Sequence, residues 1–393
     1  MRPIVYLDSS DYSVLSDPAR ETAEVRDIRE QLLAWVRAGS VDFRYSQVHI
    51  SEMAPTREDK IEEAVLRVGL LCKLCGPCCL IGYWEVLQLE RLRLERKDPK
   101  FGTVFSNRGE WFTGIDETVS EILEGVSEAR SEVVDTLKKM TTSRAHLRVS
   151  EKLIKEHVQP VIASLERDIP LRPGNGQVFG RYMMGDASER ELRKALNAAF
   201  REPVLMIRWL HKNFESMGPA LSFLRGPSTE FHSDMTNLRA RVSDLRRERS
   251  AEHFESSVAG IDDISSDDLL IAALQQSQSV FDVPIPHTAD GSVDLDALQS
   301  SAPGLLTALR TSIQVSLAGT TVGTPRKPLG SDFLDVFHAF YAPYVHVFRA
   351  DRYMAPIVQK SLGTSATKVV GSIADVIPAI ERLLSIAGSK QTR

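Results

Sequence analysis

The sequence predicts an α/β protein, a parallel sheet flanked by helices and split by a large, mostly α-helical insertion. Short apolar runs alternate with helical periodicity up to residue 82, which is the pattern of a parallel α/β sheet. The same alternation returns after residue 327, whereas strand-like alternation nearly vanishes between these two parts. We therefore predict a discontinuous core, residues 1–82 and 327–393, and a helical insertion, residues 83–326.

Composition limits the classes of function. The 393 residues include 48 basic and 53 acidic side chains, giving a net charge of -5. This balance argues against a protein that captures nucleic acid or anionic membrane by charge alone. The first residues do not have the pattern of a signal peptide, and no apolar run reaches membrane-spanning length. We expect a cytoplasmic protein without a membrane partner.

The N-terminal part of the predicted core alternates strands and helices, and two acids follow its strands. Residues 3–7 are a short apolar run that ends at Asp8. A helix with Ile28, Leu32, Trp35 and Val36 at helical spacing precedes an alternating strand at 41–45. Ser46 is a natural N-cap for a short helix that carries Glu52. A further helix from residue 58 and a strand at 78–81 complete this part.

The C-terminal part of the predicted core carries two more acids. Asp332 and Asp335 stand three residues apart at the start of an apolar-periodic run, so they share one face near the N-terminus of a helix. Pro343 ends that helix. Residues 344–348 then form a buried strand, and Asp351 follows at its C-terminal end. A helix, a strand at 368–371 and a closing helix at 375–386 follow.

Acids at comparable places in parallel strands are expected to meet at one sheet edge, where sites of open α/β sheets are built. The set is Asp8, Glu52, Asp335 and Asp351. Clustered carboxylates repel one another and raise each other's pKa values unless a hard divalent cation neutralises them. The sequence therefore predicts a Mg²⁺ or Mn²⁺ site, which can orient and deprotonate a water and clamp a phosphodiester.

Three stretches together resemble the PIN-domain nucleases: YLDSSDYSVL, YSQVHISEM and SDFLDVFHAFYAPYVHVFRAD. The third is most similar to a bacterial PIN-like subgroup with a D-x-x-D-x-x-H-A-x-Y pattern followed by a strand and an aspartate. The resemblance implies a metal-dependent nuclease, usually acting on RNA, with the same four acids as catalytic metal ligands and with Ser10 and Asp332 in support. Arg349 and Ala350 stand where the family commonly has Thr or Ser before the fourth acid.

Several residues have two interpretations. The basic residues Arg239, Arg246, Arg247 and Arg249 favour weak contact with RNA, or equally a solvated helix face, because acids interleave with them. Asp332 is either a supporting acid or a helix N-cap. His338 shares a face with Asp335 and is expected to be a packed histidine that hydrogen-bonds locally, with a catalytic role as the alternative. The four cysteines, Cys72, Cys75, Cys78 and Cys79, suggest a metal or redox site, but burial as small apolar residues is favoured.

Two functions from different classes remain open. The first is a Mg²⁺- or Mn²⁺-dependent ribonuclease acting on RNA, such as tRNA or another single-stranded nucleic acid. Its helical insertion would select substrate, block the site or mediate self-association as a homodimer. The second is a catalytically inactive PIN-like scaffold that binds RNA or a protein partner through its helical domain. Retention of all four acids favours the enzyme.

Overall fold

The computed structural model describes residues 2–55, 57–112, 115–140, 175–212, 266–318 and 332–391, apart from a few side chains inside helices. These residues form an α/β structure with a four-stranded parallel sheet flanked by helices, which confirms the predicted class. The strand order is β2-β1-β5-β6. In chain order the strands are β1 Ile4–Tyr6, β2 Asp42–Phe43, β3 Cys79–Leu80, β4 Phe105–Ser106, β5 Val347–Arg349 and β6 Lys368–Val370.

The helices fall into groups along the chain. Five belong to the first 96 residues: α1 Ser9–Ser16, α2 Ala23–Arg37, α3 Gln47–Met53, α4 Ile61–Cys75 and α5 Tyr83–Arg96. The middle of the chain forms α6 Ile115–Met140, α7 Asn175–Met184, α8 Glu189–Phe200, α9 Pro203–Lys212, α10 Ser266–Phe281, α11 Leu295–Ser301 and α12 Pro303–Ala318. The last three are α13 Asp332–Tyr341, α14 Met354–Ser361 and α15 Val376–Gln391.

Strands from the two ends of the chain lie side by side in the sheet. Strand β1 pairs in parallel with β5, with Tyr6 opposite Phe348, and with β2 on its other side. The sheet is buried on both faces, because Val5 and Leu7 pack into one apolar cluster and Tyr6 and Phe348 into another. The residues that follow these parallel strands therefore leave the sheet at the same edge.

Two short elements differ from the sequence prediction. A helix, α1, begins directly after Asp8, where no helix is predicted, because Asp8 and Asp11 form a capping box. Strand β3 bridges in parallel to Tyr45, two residues beyond β2, through Cys79, and it pairs with β4 in antiparallel fashion. Strand β4 is unpredicted because two residues are too few to show alternation.

Helices α5 and α12 are joined through the buried carboxylate of Glu90. Its two oxygens accept the backbone N–H groups of Gly304 and Leu305 at 2.6 and 3.0 Å, at the positive end of α12. The hydroxyl of Tyr344 also donates to Glu90. A carboxylate from α5 thus caps α12 from outside, and this close approach depends on a small residue at position 304.

We expect Gly304→Ala to destabilise the protein by about 2 kcal/mol or more, measured by urea unfolding. A Cβ at this position would stand 2.8 Å from the backbone oxygen of Phe340 and 2.8 Å from Oε1 of Glu90. Gly69→Ala in α4 is the matched control, because a Cβ there meets nothing within 4 Å. That change should stabilise the helix by about 0.5–1 kcal/mol. Equal effects of the two substitutions would contradict the packing described for Gly304.

Candidate active site

Asp335 lies in the first turn of α13, largely buried and surrounded by negative charge. Burial raises the pKa of its carboxyl well above the ordinary value, and Glu52 raises it further. Asp8 and Asp351 also raise this pKa, while His338 lowers it. Among the described residues, neither a hydrogen bond nor an ion pair is made to this carboxylate. The four predicted acids therefore lie close enough to act on one another's charge.

Asp8 follows β1 and is the N-cap of α1. Its Oδ1 accepts the backbone N–H of Ser10 at 2.7 Å, and the backbone N–H of Asp8 donates to Oδ2 of Asp11 at 3.0 Å. The guanidinium of Arg349 lies 3.4 Å from Oδ1 of Asp8 and donates to the hydroxyl of Ser10 at 3.2 Å. Burial opposes the charge on Asp8, but Arg349, His338 and Ser10 outweigh it, so the pKa of Asp8 is lowered. Asp8 is therefore ionised, and it already has a cationic partner.

Asp11 is a buried acid beside the site that the sequence interpretation overlooked. It is 1% exposed, and its Oδ1 lies 2.8 Å from Nη2 of Arg349. Burial raises its pKa to about 7, with a further contribution from Asp8, and Arg349 acts in the opposite direction. Arg349 thus lies between Asp8, the N-cap of α1, and Asp11 in its first turn.

Glu52 is held by a buried hydrogen-bonded chain. Its Oε2 lies 2.9 Å from Nε2 of His338, whose Nδ1 lies 2.7 Å from the hydroxyl of Tyr6. The same hydroxyl lies 2.6 Å from Oγ of Ser46. A carboxylate only accepts, so Nε2 of His338 carries a proton. His338 is packed and hydrogen-bonded as predicted, but its partners are distant in sequence rather than local, and it fixes the position of a site carboxylate.

His49 is a neutral imidazole that holds Ser46, the last member of this hydrogen-bonded chain. Its Nε2 lies 2.7 Å from the carbonyl oxygen of Leu7, which can only accept, so Nε2 is the protonated nitrogen. Its Nδ1 then accepts the backbone N–H of Ser46 at 3.1 Å. Burial, with the charge of His338, lowers the pKa of His49 to about 3. The ring is therefore neutral and serves to orient Ser46.

Asp351 follows β5 at the same sheet edge, as the strand pattern predicts. Its Oδ1 accepts the backbone N–H of Met354 at 2.6 Å, which places a carboxylate at the start of α14. Asp332 is the first residue of α13, and its side chain lies outside the described residues. The four arginines predicted to contact RNA, Arg239, Arg246, Arg247 and Arg249, also lie outside them.

The acids suit a hard divalent cation by chemistry, because Mg²⁺ and Mn²⁺ prefer carboxylate oxygens. However, the described residues contain no group of three or more histidine, cysteine, aspartate or glutamate side chains that lie close enough together to hold a metal ion. Asp8, Glu52 and Asp351 are instead turned toward Arg349, His338 and the start of α14 respectively. A cation would have to draw these oxygens together against their present partners.

Cys75 and Cys79 are buried, and Cys72 and Cys78 are partly buried. Burial raises the pKa of Cys72 to about 11 and that of Cys79 to about 12, and it raises the pKa values of Cys75 and Cys78 as well. All four are therefore protonated at neutral pH, whereas a reactive cysteine is a thiolate. These pKa values disfavour a redox role for this cluster.

Sequence reasoning does not reveal the partners of the four predicted acids. The sequence indicates only a strand residue at Tyr6 and a helix cap at Ser46, and it gives no role to Asp11. One signal was available: Arg349 replaces the small polar residue that the resemblance leads one to expect beside the fourth acid. An arginine at a buried strand end needs a carboxylate partner, and in the structure Asp8 and Asp11 are those partners.

Comparison of the chain with protein-family models, with curated proteins and with solved structures gives no match. The described helices include none with an apolar stretch long enough to cross a membrane.

Proposed function

We propose that this chain is a PIN-like, metal-dependent nuclease, a ribonuclease that hydrolyses phosphodiester bonds. Residues 1–82 and 327–393 would form its nuclease core, and residues 83–326 its helical insertion. Two observations support the proposal. Strands from both ends of the chain pair in one parallel sheet, and acids from four different elements are electrostatically coupled at its carboxyl edge.

The state of Asp335 carries the proposal. A carboxylate in a partly buried place beside three other acids, with no described cationic partner, costs the folded protein stability. A fold keeps such an arrangement when a cation or a reacting group needs it, and strongly perturbed acids in a cluster are typical of functional sites. Mg²⁺ or Mn²⁺ would relieve the repulsion that raises the pKa of Asp335.

Each residue of the site then has a defined part. Asp335 and Asp351 would supply oxygen ligands to a bound Mg²⁺ or Mn²⁺, with Glu52 and Asp8 as the further predicted acids of the site, and the ion would activate a water and stabilise charge on the phosphate. His338 holds Glu52 through Nε2, while Tyr6 and Ser46 fix the imidazole from its other side. Buried side chains with locked hydrogen bonds keep Glu52 oriented before substrate arrives.

An inactive PIN-like scaffold that binds RNA or a protein partner is the second candidate. The specific observation in its favour is the ion pair of Asp8 with Arg349, because an acid that already has a cationic partner has less need of a metal. In that case the helical part of the chain would recruit the partner or a second copy of the chain. Metal-dependent cleavage separates the two candidates.

The test is cleavage of total RNA, tRNA and single-stranded DNA in Mn²⁺, Mg²⁺ or chelator. We expect the wild type to cut RNA only with metal and Asp351→Asn to lose at least about 100-fold of that activity. Asp375→Asn is the matched control, because this exposed acid follows β6 at the same sheet edge and contacts Ser372. Cleavage that persists in chelator, or equal loss in both variants, would refute the proposed site. A folded wild type that cuts none of these nucleic acids would favour the scaffold.

A further inference from the structure

We propose that Arg349 is a fixed counter-cation for Asp8, so that the acid cluster takes one divalent cation, on the side of Asp335 and Asp351, rather than two. This inference rests on the proposed function and deepens it, because it concerns how many cations the same site holds. Arg349 would determine how many divalent cations the site binds.

The guanidinium of Arg349 lies beside Asp8 and Asp11. Arg349 ends β5, and its side chain is 12% exposed, with Nη1 3.4 Å from Asp8 and Nη2 2.8 Å from Asp11. Nη1 also donates to the hydroxyl of Ser10 at 3.2 Å. An arginine stays protonated in proteins and its planar head pairs with carboxylates in fixed directions. A permanent positive charge is therefore built into the Asp8 side of the cluster.

The other three acids of the cluster do not have a permanently charged partner of this kind. Glu52 has His338 as its partner at 2.9 Å. Among the described side chains, no cationic group is within ion-pair distance of Asp335 or Asp351. Asp351 accepts a backbone N–H from Met354, and the carboxyl of Asp335 lies near Glu52, Asp8 and Asp351, with His338 as the opposing charge. The uncompensated negative charge is thus concentrated on the Asp335 and Asp351 side.

Two cations would need negative charge on both sides of the cluster, whereas the Asp8 side already has a positive charge. Paired metal ions in hydrolytic sites lie about 3.5–4 Å apart and share carboxylate ligands between them. A second divalent ion bound through Asp8 would stand against the guanidinium, and like charges at such separations repel strongly in a partly buried place. Arg349 therefore blocks the Asp8 side to a second cation while leaving Asp8 ionised and oriented.

The experiment is calorimetric titration of the full-length protein with Mn²⁺, with free Mn²⁺ counted in parallel by electron paramagnetic resonance. Binding to this site is defined as the part lost in Asp335→Asn. We expect one equivalent in the wild type and two in Arg349→Met. Arg349→Met alone leaves Asp11 buried without its partner. The double variant Asp11→Asn with Arg349→Met is therefore measured too. It removes one acidic and one basic residue, so the formal net charge of the protein is unchanged. Arg352→Met is the matched control, since this exposed arginine adjoins Asp351, and it should keep one equivalent.

Each outcome has one meaning. One equivalent in the wild type and the Arg352 variant, with two in the double variant, supports the inference. Two equivalents in the wild type, or one equivalent in the folded double variant, overturns it and leaves the proposed function standing. Absence of any Asp335-dependent Mn²⁺ binding in the wild type refutes the proposed function itself, and the inference with it.

Discussion

Asp335→Asn is expected to abolish metal-dependent cleavage and, at the same time, to stabilise the metal-free protein by about 1–2 kcal/mol. The two effects have one cause. The carboxylate lies largely buried beside Glu52, Asp8 and Asp351, and its pKa is raised because the folded protein disfavours its charge. Asparagine keeps the shape and removes the charge. Clustered acids kept for function destabilise the fold, so removing the charge of Asp335 stabilises it.

The pH dependence of this gain follows from the direction of the shift. An acid whose pKa is higher in the folded than in the unfolded protein lowers stability as pH rises above its unfolded pKa, about 3.8. The advantage of Asp335→Asn should therefore be small near pH 4 and grow toward pH 8. Urea unfolding in chelator at both pH values measures it.

Two comparisons make the Asp335 prediction specific. Asp27→Asn removes a charge from an exposed acid of α2 and should change the free energy of unfolding by less than about 0.5 kcal/mol. Saturating Mn²⁺ should reverse the order of wild type and Asp335→Asn, because a ligand stabilises only the form that binds it. A destabilised Asp335→Asn protein in chelator would mean that the carboxylate has a favourable partner, and the site would need a different explanation.

The elements of the sheet could be predicted because their signals are local. The run 344–348 and the observed β5 overlap, and the predicted strand at 368–371 contains β6 Lys368–Val370. The predicted short helix after Ser46 is α3, with Ser46 as its N-cap. Parallel strands buried on both faces produce continuous apolar runs, which a single sequence displays directly. Strand β4 depends on its pairing with β3, a contact between distant residues that leaves little trace in two residues.

The partners of the acids were harder to predict for a physical reason. A carboxylate after a strand is visible in sequence, but its hydrogen-bond partner is set by tertiary packing. Tyr6 reaches His338 across 332 positions of sequence, and Arg349 reaches Ser10 across 339. Tyr6 also looks like an ordinary apolar strand residue until its hydroxyl is located. Such pairs become predictable only once the order of the strands is known.

The last large effect concerns the pair of Glu52 and His338. We expect His338→Gln to lower the free energy of unfolding by about 2–3 kcal/mol at pH 6 and by clearly less at pH 9. Burial lowers the pKa of His338, but the Glu52 carboxylate bonded to Nε2, with Asp8 and Asp335, outweighs it, so the pKa is raised. A base with a raised folded pKa contributes stability that is complete below its unfolded pKa, about 6.5, and is lost as pH rises through the folded value.

His346→Gln is the matched control, because its pH dependence should run the other way. Nδ1 of His346 accepts the backbone N–H of Ile4 at 2.9 Å, and burial lowers the pKa of this imidazole. Its contribution to stability is therefore present at high pH and lost as pH falls through the lowered pKa. Urea unfolding of both variants at pH 5, 6 and 9 compares them directly. A His338 effect that is constant across this range would show that the imidazole is neutral, and the hydrogen bond to Glu52 would then stand without an ion pair.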